Sequence, residues 1–144
     1  LTSTTIPDGV TSIEKWTFSY CSSLTSVTIP DSVTSIGSSA FKYCTSLTSI
    51  TIPDGVTSIE QGAFAGCSSL TSITIPASVT SFGDYAFVVC RSLTAVTFLG
   101  DAPKEKPHHD VFAGATSTIY RKPEAKGWGD TWGDRPVKLI SEKP

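Results

Sequence analysis

The sequence contains no methionine, only two histidines and no long run of apolar residues. A membrane-spanning helix needs about 18 or more consecutive apolar residues, and no segment of the chain approaches that length. The net charge is −2, so the basic surplus that binds nucleic acid or anionic membranes is absent. A signal peptide and a sorting motif are also absent. We expect the chain to be a piece of a longer protein, in which case these absences carry no information.

Few residues could serve catalysis or metal binding. Both histidines stand in the segment His108-His109-Asp110, and no other histidine can complete a three- or four-ligand metal site. We interpret this segment as a solvated loop, with a metal site as the alternative. No spacing forces a Ser-His-acid or Cys-His arrangement, and Gly127-Trp128-Gly129 lacks the strand–turn–helix context of a phosphate-binding loop. The sequence therefore predicts a protein that is not an enzyme and has no cofactor.

What the sequence does contain is a unit that recurs every 23 residues. The recurring positions are Leu1, Leu24, Leu47, Leu70 and Leu93; Pro7, Pro30, Pro53 and Pro76; Phe18, Phe41, Phe64 and Phe87; and Cys21, Cys44, Cys67 and Cys90. A period of roughly 20–29 residues with an L-x-x-L-x-L opening is the signature of a leucine-rich repeat. Because one such coil cannot cover its own apolar side, the coils must stack on their neighbours.

The first limb of each coil reads as a short strand. In the second coil Leu24, Val27 and Ile29 follow the L-x-x-L-x-L spacing, in which alternate side chains point into the coil. Pro30 ends the strand, since proline has no N–H to donate to a neighbouring strand. Stacked coils would place these strands about 4.8 Å apart in one parallel sheet.

The second and third limbs complete the coil. Residues 33–36 have an apolar residue at each end, and the Thr-Ser pair between them should face water. In residues 37–44 the apolar Ala40, Phe41 and Cys44 stand at i, i+1 and i+4, a spacing that predicts one helical turn on the core. The predicted fold class is therefore an α/β solenoid with one parallel sheet of short strands, short helical turns on another limb, and a C-terminal cap.

The coils also alternate in pairs, which gives a doubled period of 46 residues. The first and third coils share one set of residues and the second and fourth share another. The first set is Gly9 and Gly55 with Glu14 and Glu60; the second is Ser32 and Ser78 with Gly37 and Gly83.

Charge divides the chain into two parts. Residues 1–100 carry nine charged side chains, whereas residues 101–144 carry fifteen. We predict a repeat array at 1–100, with about four full repeats and the strand of a fifth, and a variant last repeat with a C-terminal cap at 101–144. Trp128 and Trp132 are large enough to close the apolar end of the stack. An aromatic sugar-binding platform is the alternative role for these two indoles.

The four cysteines form a column with one residue in each coil. Alternate cysteines would lie about 10 Å apart, beyond disulfide reach, and neighbours about 4.8 Å apart, slightly long for bonded Cβ atoms. Cysteine also behaves as a small buried apolar residue. We predict free, buried thiols. Disulfides are the alternative, since an even cysteine count in an extracellular chain suggests pairing.

The pattern L-x-x-I-x-I-P-x-x-V-x-x-I-x-x-x-A-F-x-x-C resembles the BspA-like leucine-rich repeats of bacterial cell-surface proteins. In the third coil it comprises Leu47, Ile50, Ile52, Pro53, Val56, Ile59, Ala63, Phe64 and Cys67. The C-terminal segments are similar to the cap of that family, namely 98–103, 111–114, 119–120 and 127–129. The resemblance implies secretion or surface display, and adhesion to host proteins or to other bacteria. It implies no particular binding residues.

Specific recognition needs side chains that differ between coils, because identical coils cannot define one position along the array. The strand face is uniformly Ser or Thr in coils two to four, whereas the third limb varies and carries aromatic residues, which often anchor interfaces. We therefore predict a partner-binding surface at Trp16, Tyr20, Tyr43 and Tyr85. In the alternative interpretation these aromatic residues only cover neighbouring coils.

Two further functions remain open besides adhesion or protein–protein interaction. The chain could be a structural spacer in a longer surface protein. It could also bind a repetitive ligand, a glycan or ice, through one outward column of the strand face: Thr5, Thr28, Thr51, Thr74 and Thr97. Good β propensity on a solvated face explains the same column without a ligand.

Overall fold

The 23-residue units fold into coils that stack along one axis, forming a β-solenoid of about five turns. The structure, a computed structural model, describes residues 2–104 and 110–144. The strands are β1 (Ser3–Thr5), β2 (Ser12–Ile13), β3 (Ser26–Thr28), β4 (Ser35–Ile36), β5 (Ser58–Ile59), β6 (Ser72–Ile75), β7 (Ser81–Phe82), β8 (Ala95–Phe98), β9 (Thr118–Arg121), β10 (Thr131–Trp132) and β11 (Arg135–Leu139). A 3₁₀ turn at Ile140–Glu142 follows β11.

The first limbs do not form the single sheet that the repeat predicts. β1 pairs with β3, and a separate five-stranded sheet has the order β10-β11-β9-β8-β6. The third coil separates the two sheets, because residues 49–52 form no strand. Their Ile50 and Ile52 side chains are nevertheless buried. The third coil therefore contributes to the core without extending the sheet.

The second limbs form a sheet of their own, in the order β2-β4-β5-β7. All three pairings are parallel and shift by 23 residues, so that Ser12 faces Ser35 and Ser58 faces Ser81. The second residue of each strand points into the core, and the four side chains Ile13, Ile36, Ile59 and Phe82 are buried. The solenoid thus has two β-faces rather than one.

The third limb is not helical, so the α/β description is replaced by that of a β-solenoid. Its N–H groups divide between two kinds of acceptor. In the second coil those of Ala40, Lys42 and Cys44 bond three residues back, whereas those of Ser39, Phe41 and Tyr43 bond to the third coil. A helical turn would direct every N–H back along its own limb. Consecutive tight turns instead leave every second N–H free to join one coil to the next.

The doubled 46-residue period has a packing cause at the start of the third limb. A Cβ atom on Gly37 would lie 2.7 Å from the carbonyl oxygen of Ile13, and one on Gly83 would lie 2.3 Å from the backbone nitrogen of Gln61. Glycine permits this close backbone approach. The contact recurs at every second interface, between coils one and two and between coils three and four.

Serine in the even coils completes the turns of the odd coils. The Ser32 hydroxyl accepts a hydrogen bond from the Gly9 N–H (3.2 Å) and donates one to the Val10 carbonyl (2.7 Å). Ser78 likewise donates to the Val56 carbonyl (2.6 Å). The turns that contain Gly9 and Gly55 are therefore each hydrogen-bonded by the coil that follows.

A column of phenylalanine rings runs through the core. Successive rings stack with centroids 5.3 Å apart for Phe18–Phe41, 5.4 Å for Phe41–Phe64 and 5.6 Å for both Phe64–Phe87 and Phe87–Phe112. The three central rings are fully buried, whereas Phe18 in the first coil is only partly buried. Each central ring therefore contacts a ring on both sides.

Indole rings pack over the far end of this core. Trp132 is buried and meets Phe98 edge-on at 5.1 Å, and Trp128 meets Phe98 at 4.8 Å. The Trp128 indole N–H donates to the Gly100 carbonyl (3.2 Å). These contacts confirm the predicted packing of both indoles on the stack. The division of the chain at residue 100 stays a prediction.

All four cysteines are free, and three of them are buried. The thiols of Cys44, Cys67 and Cys90 donate to the carbonyl groups of Phe18, Phe41 and Phe64, each in the preceding coil, at 3.0–3.1 Å. Burial raises the pKa of Cys44 and that of Cys90 to about 12, and raises the pKa of Cys67 in the same direction. The prediction of free thiols is confirmed, although Cys21 is only partly buried.

The thiols yield a testable prediction. In native protein, a thiol reagent should label Cys21 quickly and the other three only on unfolding, as measured by mass spectrometry. Because the buried thiols have pKa values above the ordinary 9.0, they stay protonated while the unfolded thiols ionise. The free energy of unfolding should therefore be highest below about pH 9 and fall as the pH rises above it. Rapid native labelling of Cys67 would contradict its burial.

Candidate interaction surface

The four aromatic residues predicted to bind a partner all lie on the third limb and all reach solvent. Their exposed fractions are 50% for Trp16, 62% for Tyr20, 39% for Tyr43 and 37% for Tyr85. No other large apolar side chain in the described residues is as exposed. The structure therefore places all four predicted residues on one side of the solenoid.

These aromatic residues stand at backbone positions that ordinarily suit glycine. The third limb of each of the first four coils has two residues with positive φ, and together they form two columns that run along this limb. The first column is Trp16, Ser39, Gly62 and Tyr85, and the second is Tyr20, Tyr43, Gly66 and Val89. Only the third coil has glycine at both positions. Bulky residues in this region typically cost on the order of 1–3 kcal/mol each.

In the second column the rings lean along the solenoid axis. The Tyr20 and Tyr43 rings lie 5.2 Å apart, and Tyr43 in turn covers Gly66. A Cβ atom on Gly66 would lie 2.3 Å from Tyr43 Cδ1. Gly66, which has a φ of 74°, therefore suits the positive-φ backbone and leaves the space that the Tyr43 ring occupies.

A lysine joins the two columns. The Lys42 ammonium lies 5.4 Å from the centre of the Trp16 ring and 5.5 Å from that of Tyr43, both within cation–π range. Within the described part of the chain, no carboxylate forms an ion pair with Lys42. The ammonium therefore lies against one ring of each column.

The first column encloses a groove of about 450 Å³, which we call the aromatic groove. Trp16 and Tyr85 stand at its two ends, and the small Ser39 and Gly62 lie between them in the same column. The complete lining comprises Trp16, Ser38, Ser39, Lys42, Tyr43, Gln61, Gly62, Ala65, Tyr85 and Val88. The groove exists because the middle coils carry small residues where the outer coils carry aromatic ones.

The backbone around the groove is already hydrogen-bonded. Every N–H from 39 to 44 and from 62 to 67 donates to another carbonyl of the protein. This part of the third limb therefore offers no free strand edge to an extended partner. The groups that this part of the limb presents to solvent are side chains, namely the rings, the Lys42 ammonium and the polar heads of Ser39 and Gln61.

The alternative threonine column lies on the strand face. Thr5, Thr28, Thr51 and Thr74 are exposed, but Thr97 is buried and accepts a hydrogen bond from the Lys143 ammonium (3.3 Å). The ladder pairs Thr5 with Thr28 and Thr74 with Thr97, and Thr51 belongs to no strand. The binding of a repetitive ligand to this column stays a prediction. Strand pairing aligns the threonines over only part of the column.

The part of the chain that the structure describes holds neither a candidate metal site nor a candidate membrane span. His108 and His109, which the sequence places in a solvated loop with a metal site as the alternative, lie outside the described residues. In ranges 2–104 and 110–144, no three His, Cys, Asp or Glu side chains converge as metal ligands. No helix in these same ranges has the length and apolar character to cross a membrane.

Lys42 and Gly62 belong to the variable third limb that the sequence identifies, but neither is among the four predicted binding residues. Both could have been found by aligning the coils on their 23-residue period. That alignment places Ser39 and Gly62 in the same column as Trp16 and Tyr85. Lys42 follows Ser39 by three residues in the second coil. The third coil has glycine at both of the aligned third-limb positions, and this pattern indicates a left-handed backbone there.

Comparisons with known proteins agree with this fold. The family profile described as "BspA type Leucine rich repeat region (6 copies)" matches residues 1–115. No curated protein matches the sequence. Among solved structures, a leucine-rich repeat protein from Bacteroides ovatus is similar, with 38% identity and a TM-score of 0.72 over 83% of this chain and 31% of that one.

Two other solved structures show the same solenoid. The T. pallidum leucine-rich repeat protein has 32% identity and a TM-score of 0.70 over 83% of this chain and 58% of that one. The pneumococcal vaccine antigen PcpA has 22% identity and a TM-score of 0.72 over 84% of this chain and 30% of that one, a likeness of fold alone. This chain spans less than two thirds of each of these proteins. With the family profile matched over most of its length, the chain belongs to the BspA-type leucine-rich repeat family.

Proposed function

We propose that the chain is a non-catalytic interaction module of a surface-displayed protein, and that it binds a protein partner through the third limb. Leucine-rich repeats generally serve protein interactions, and the family is typical of bacterial surface proteins. The observation that supports this limb is that Trp16, Tyr20, Tyr43 and Tyr85 are exposed at positive φ. Glycine is the less strained choice at each position, so exposed rings there favour a functional role.

Adhesion is the form of interaction that we propose. Aromatic residues are enriched among the side chains that dominate binding energy, and these four lie close together along one limb. The strand face offers no comparable anchor, because its outward residues in the described coils are mostly Ser and Thr. A partner bound on the third limb would also leave both β-faces undisturbed.

The proposal predicts which substitutions weaken binding. The chain should be tested by interferometry against a panel of purified extracellular-matrix proteins. For any partner found, Trp16→Ala or Tyr43→Ala should raise Kd by about 30-fold, the effect of losing an anchor worth about 2 kcal/mol. Tyr20→Ala and Tyr85→Ala should have smaller effects in the same direction.

Matched controls lie on the strand face, where Thr28→Lys and Thr51→Lys add bulk and charge at exposed positions. They should leave Kd unchanged. Loss of binding in the threonine variants alone would move the site to the strand face and overturn the proposal. Binding to no protein across the panel would favour the spacer role.

A further inference from the structure

We infer that the aromatic groove binds an extended, acidic peptide segment of the protein partner, with Lys42 as the group that binds its carboxylate. This inference rests on the proposed function and names the chemistry of the partner at that surface.

Lys42 places a positive charge in the lining of the groove. Its ammonium lies against two rings, 5.4 Å from that of Trp16 and 5.5 Å from that of Tyr43, and has no ion-pair partner in the described residues. The rings remove part of its water, and a partly desolvated cation binds a carboxylate more strongly than a fully hydrated one. The charge therefore complements an anionic side chain.

The length of the groove suits a short extended peptide. Trp16 and Tyr85 are three coils apart, and coil spacing is about 4.8 Å, so the first column spans roughly 14 Å. An extended chain advances about 3.3–3.6 Å per residue, so four residues fit between the two end rings. Lys42 belongs to the second coil, inside this span.

The lining of the groove combines polar and apolar side chains. Since the N–H groups of the third limb are already bonded, an incoming peptide backbone must find side-chain partners. The Ser39 hydroxyl and the Gln61 amide can both donate and accept, as a peptide group requires. Ala65 and Val88 supply apolar surface for a neighbouring aliphatic side chain.

The floor of the groove at Gly62 has room for a side chain. A Cβ atom on Gly62 would meet only the Ser39 Oγ at 3.4 Å and the Ala65 Cβ at 4.0 Å. Trp16 and Tyr85 hold rings at the same column position with nearly the same φ as Gly62, which is 63°. Gly62→Tyr should therefore fold with some loss of stability from its positive φ, as Trp16 and Tyr85 do, and occupy the groove with a third ring.

The test begins with a phage-displayed library of random eight-residue peptides selected on the wild-type chain. Enriched peptides should contain Asp or Glu beside an aliphatic residue. Synthetic copies should bind Lys42→Gln about 10- to 100-fold more weakly, in line with the loss of a charge-assisted hydrogen bond, and their affinity for the wild type should fall with salt. Binding to Gly62→Tyr should be lost.

Lys138→Gln is the matched control, because it removes an exposed lysine from β11 and should leave the affinity unchanged. Enriched peptides without acidic residues, or equal affinity for Lys42→Gln and the wild type, would overturn the inference. So would a glycan array in which an oligosaccharide binds the wild type but not Gly62→Tyr. If a matrix-protein partner is lost with Trp16→Ala but retained with Lys42→Gln, the proposed function stands and this inference fails. Should Gly62→Tyr not fold, the Lys42→Gln comparison still decides.

Discussion

Replacing Phe64 by alanine is expected to lower the free energy of unfolding by about 3–5 kcal/mol. The Phe64 ring is fully buried and lies between two others, 5.4 Å from Phe41 and 5.6 Å from Phe87. Its loss opens a cavity at the centre of the stack, and neighbouring coils cannot close that cavity without losing their backbone ladder. Urea denaturation followed by circular dichroism would measure the change.

Phe18→Ala is the matched control, because the same residue type occupies the same column position in the first coil. Phe18 stacks on one ring only, Phe41 at 5.3 Å, and is partly exposed. We expect the loss to be about half that for Phe64. Equal losses at the two positions would show that stacking on both sides contributes nothing.

Gly83→Ala is expected to destabilise the fold by about 3 kcal/mol, the upper end of the usual cost of overpacking. The added Cβ would lie 2.3 Å from the Gln61 nitrogen and 2.4 Å from the Glu60 carbonyl carbon. Both are backbone atoms, so neither can rotate away as a side chain would. The coils must separate locally, which weakens the bond from the Gly83 N–H to the Ile59 carbonyl (2.7 Å).

Gly129→Ala provides the comparison. A Cβ atom there would meet nothing closer than the Thr131 carbonyl oxygen at 3.9 Å. The substitution should change the melting temperature little, and it removes a glycine just as Gly83→Ala does. A similar loss in both variants would mean that the cost comes from glycine flexibility and not from coil contact.

The stack of coils could be predicted from the sequence because each inward-facing residue recurs in four or five coils. Phe41, Phe64 and Cys67 are buried where the period places them. The conformation of the third limb could not be predicted, because apolar residues at i, i+1 and i+4 fit a helical turn and a pair of tight turns equally well. Positive φ at Ser39 and Tyr43 decides between these two.

The break in the first-limb sheet was beyond sequence reasoning altogether. Residues 49–52 and β6 (72–75) have the same sequence, Ser-Ile-Thr-Ile, yet only the second forms a strand. Identical local propensity cannot produce different pairing, so the cause must lie in the surrounding coils. The groove could be predicted in part, because the 23-residue period aligns Trp16 with Gly62. The position of Lys42 against two aromatic rings depends on side-chain directions, which the sequence does not give.

The hydrogen bonds that join successive coils run along the solenoid axis, which has a mechanical consequence. Tension along that axis would load the coil interfaces in series, so the stack should lengthen coil by coil. Each released coil frees 23 residues, or roughly 80 Å of extended chain. Residues 49–52 contribute no strand pairing, so the third coil is where tension meets least resistance on the first limb. A chain loaded in this way would lengthen in steps of one coil each.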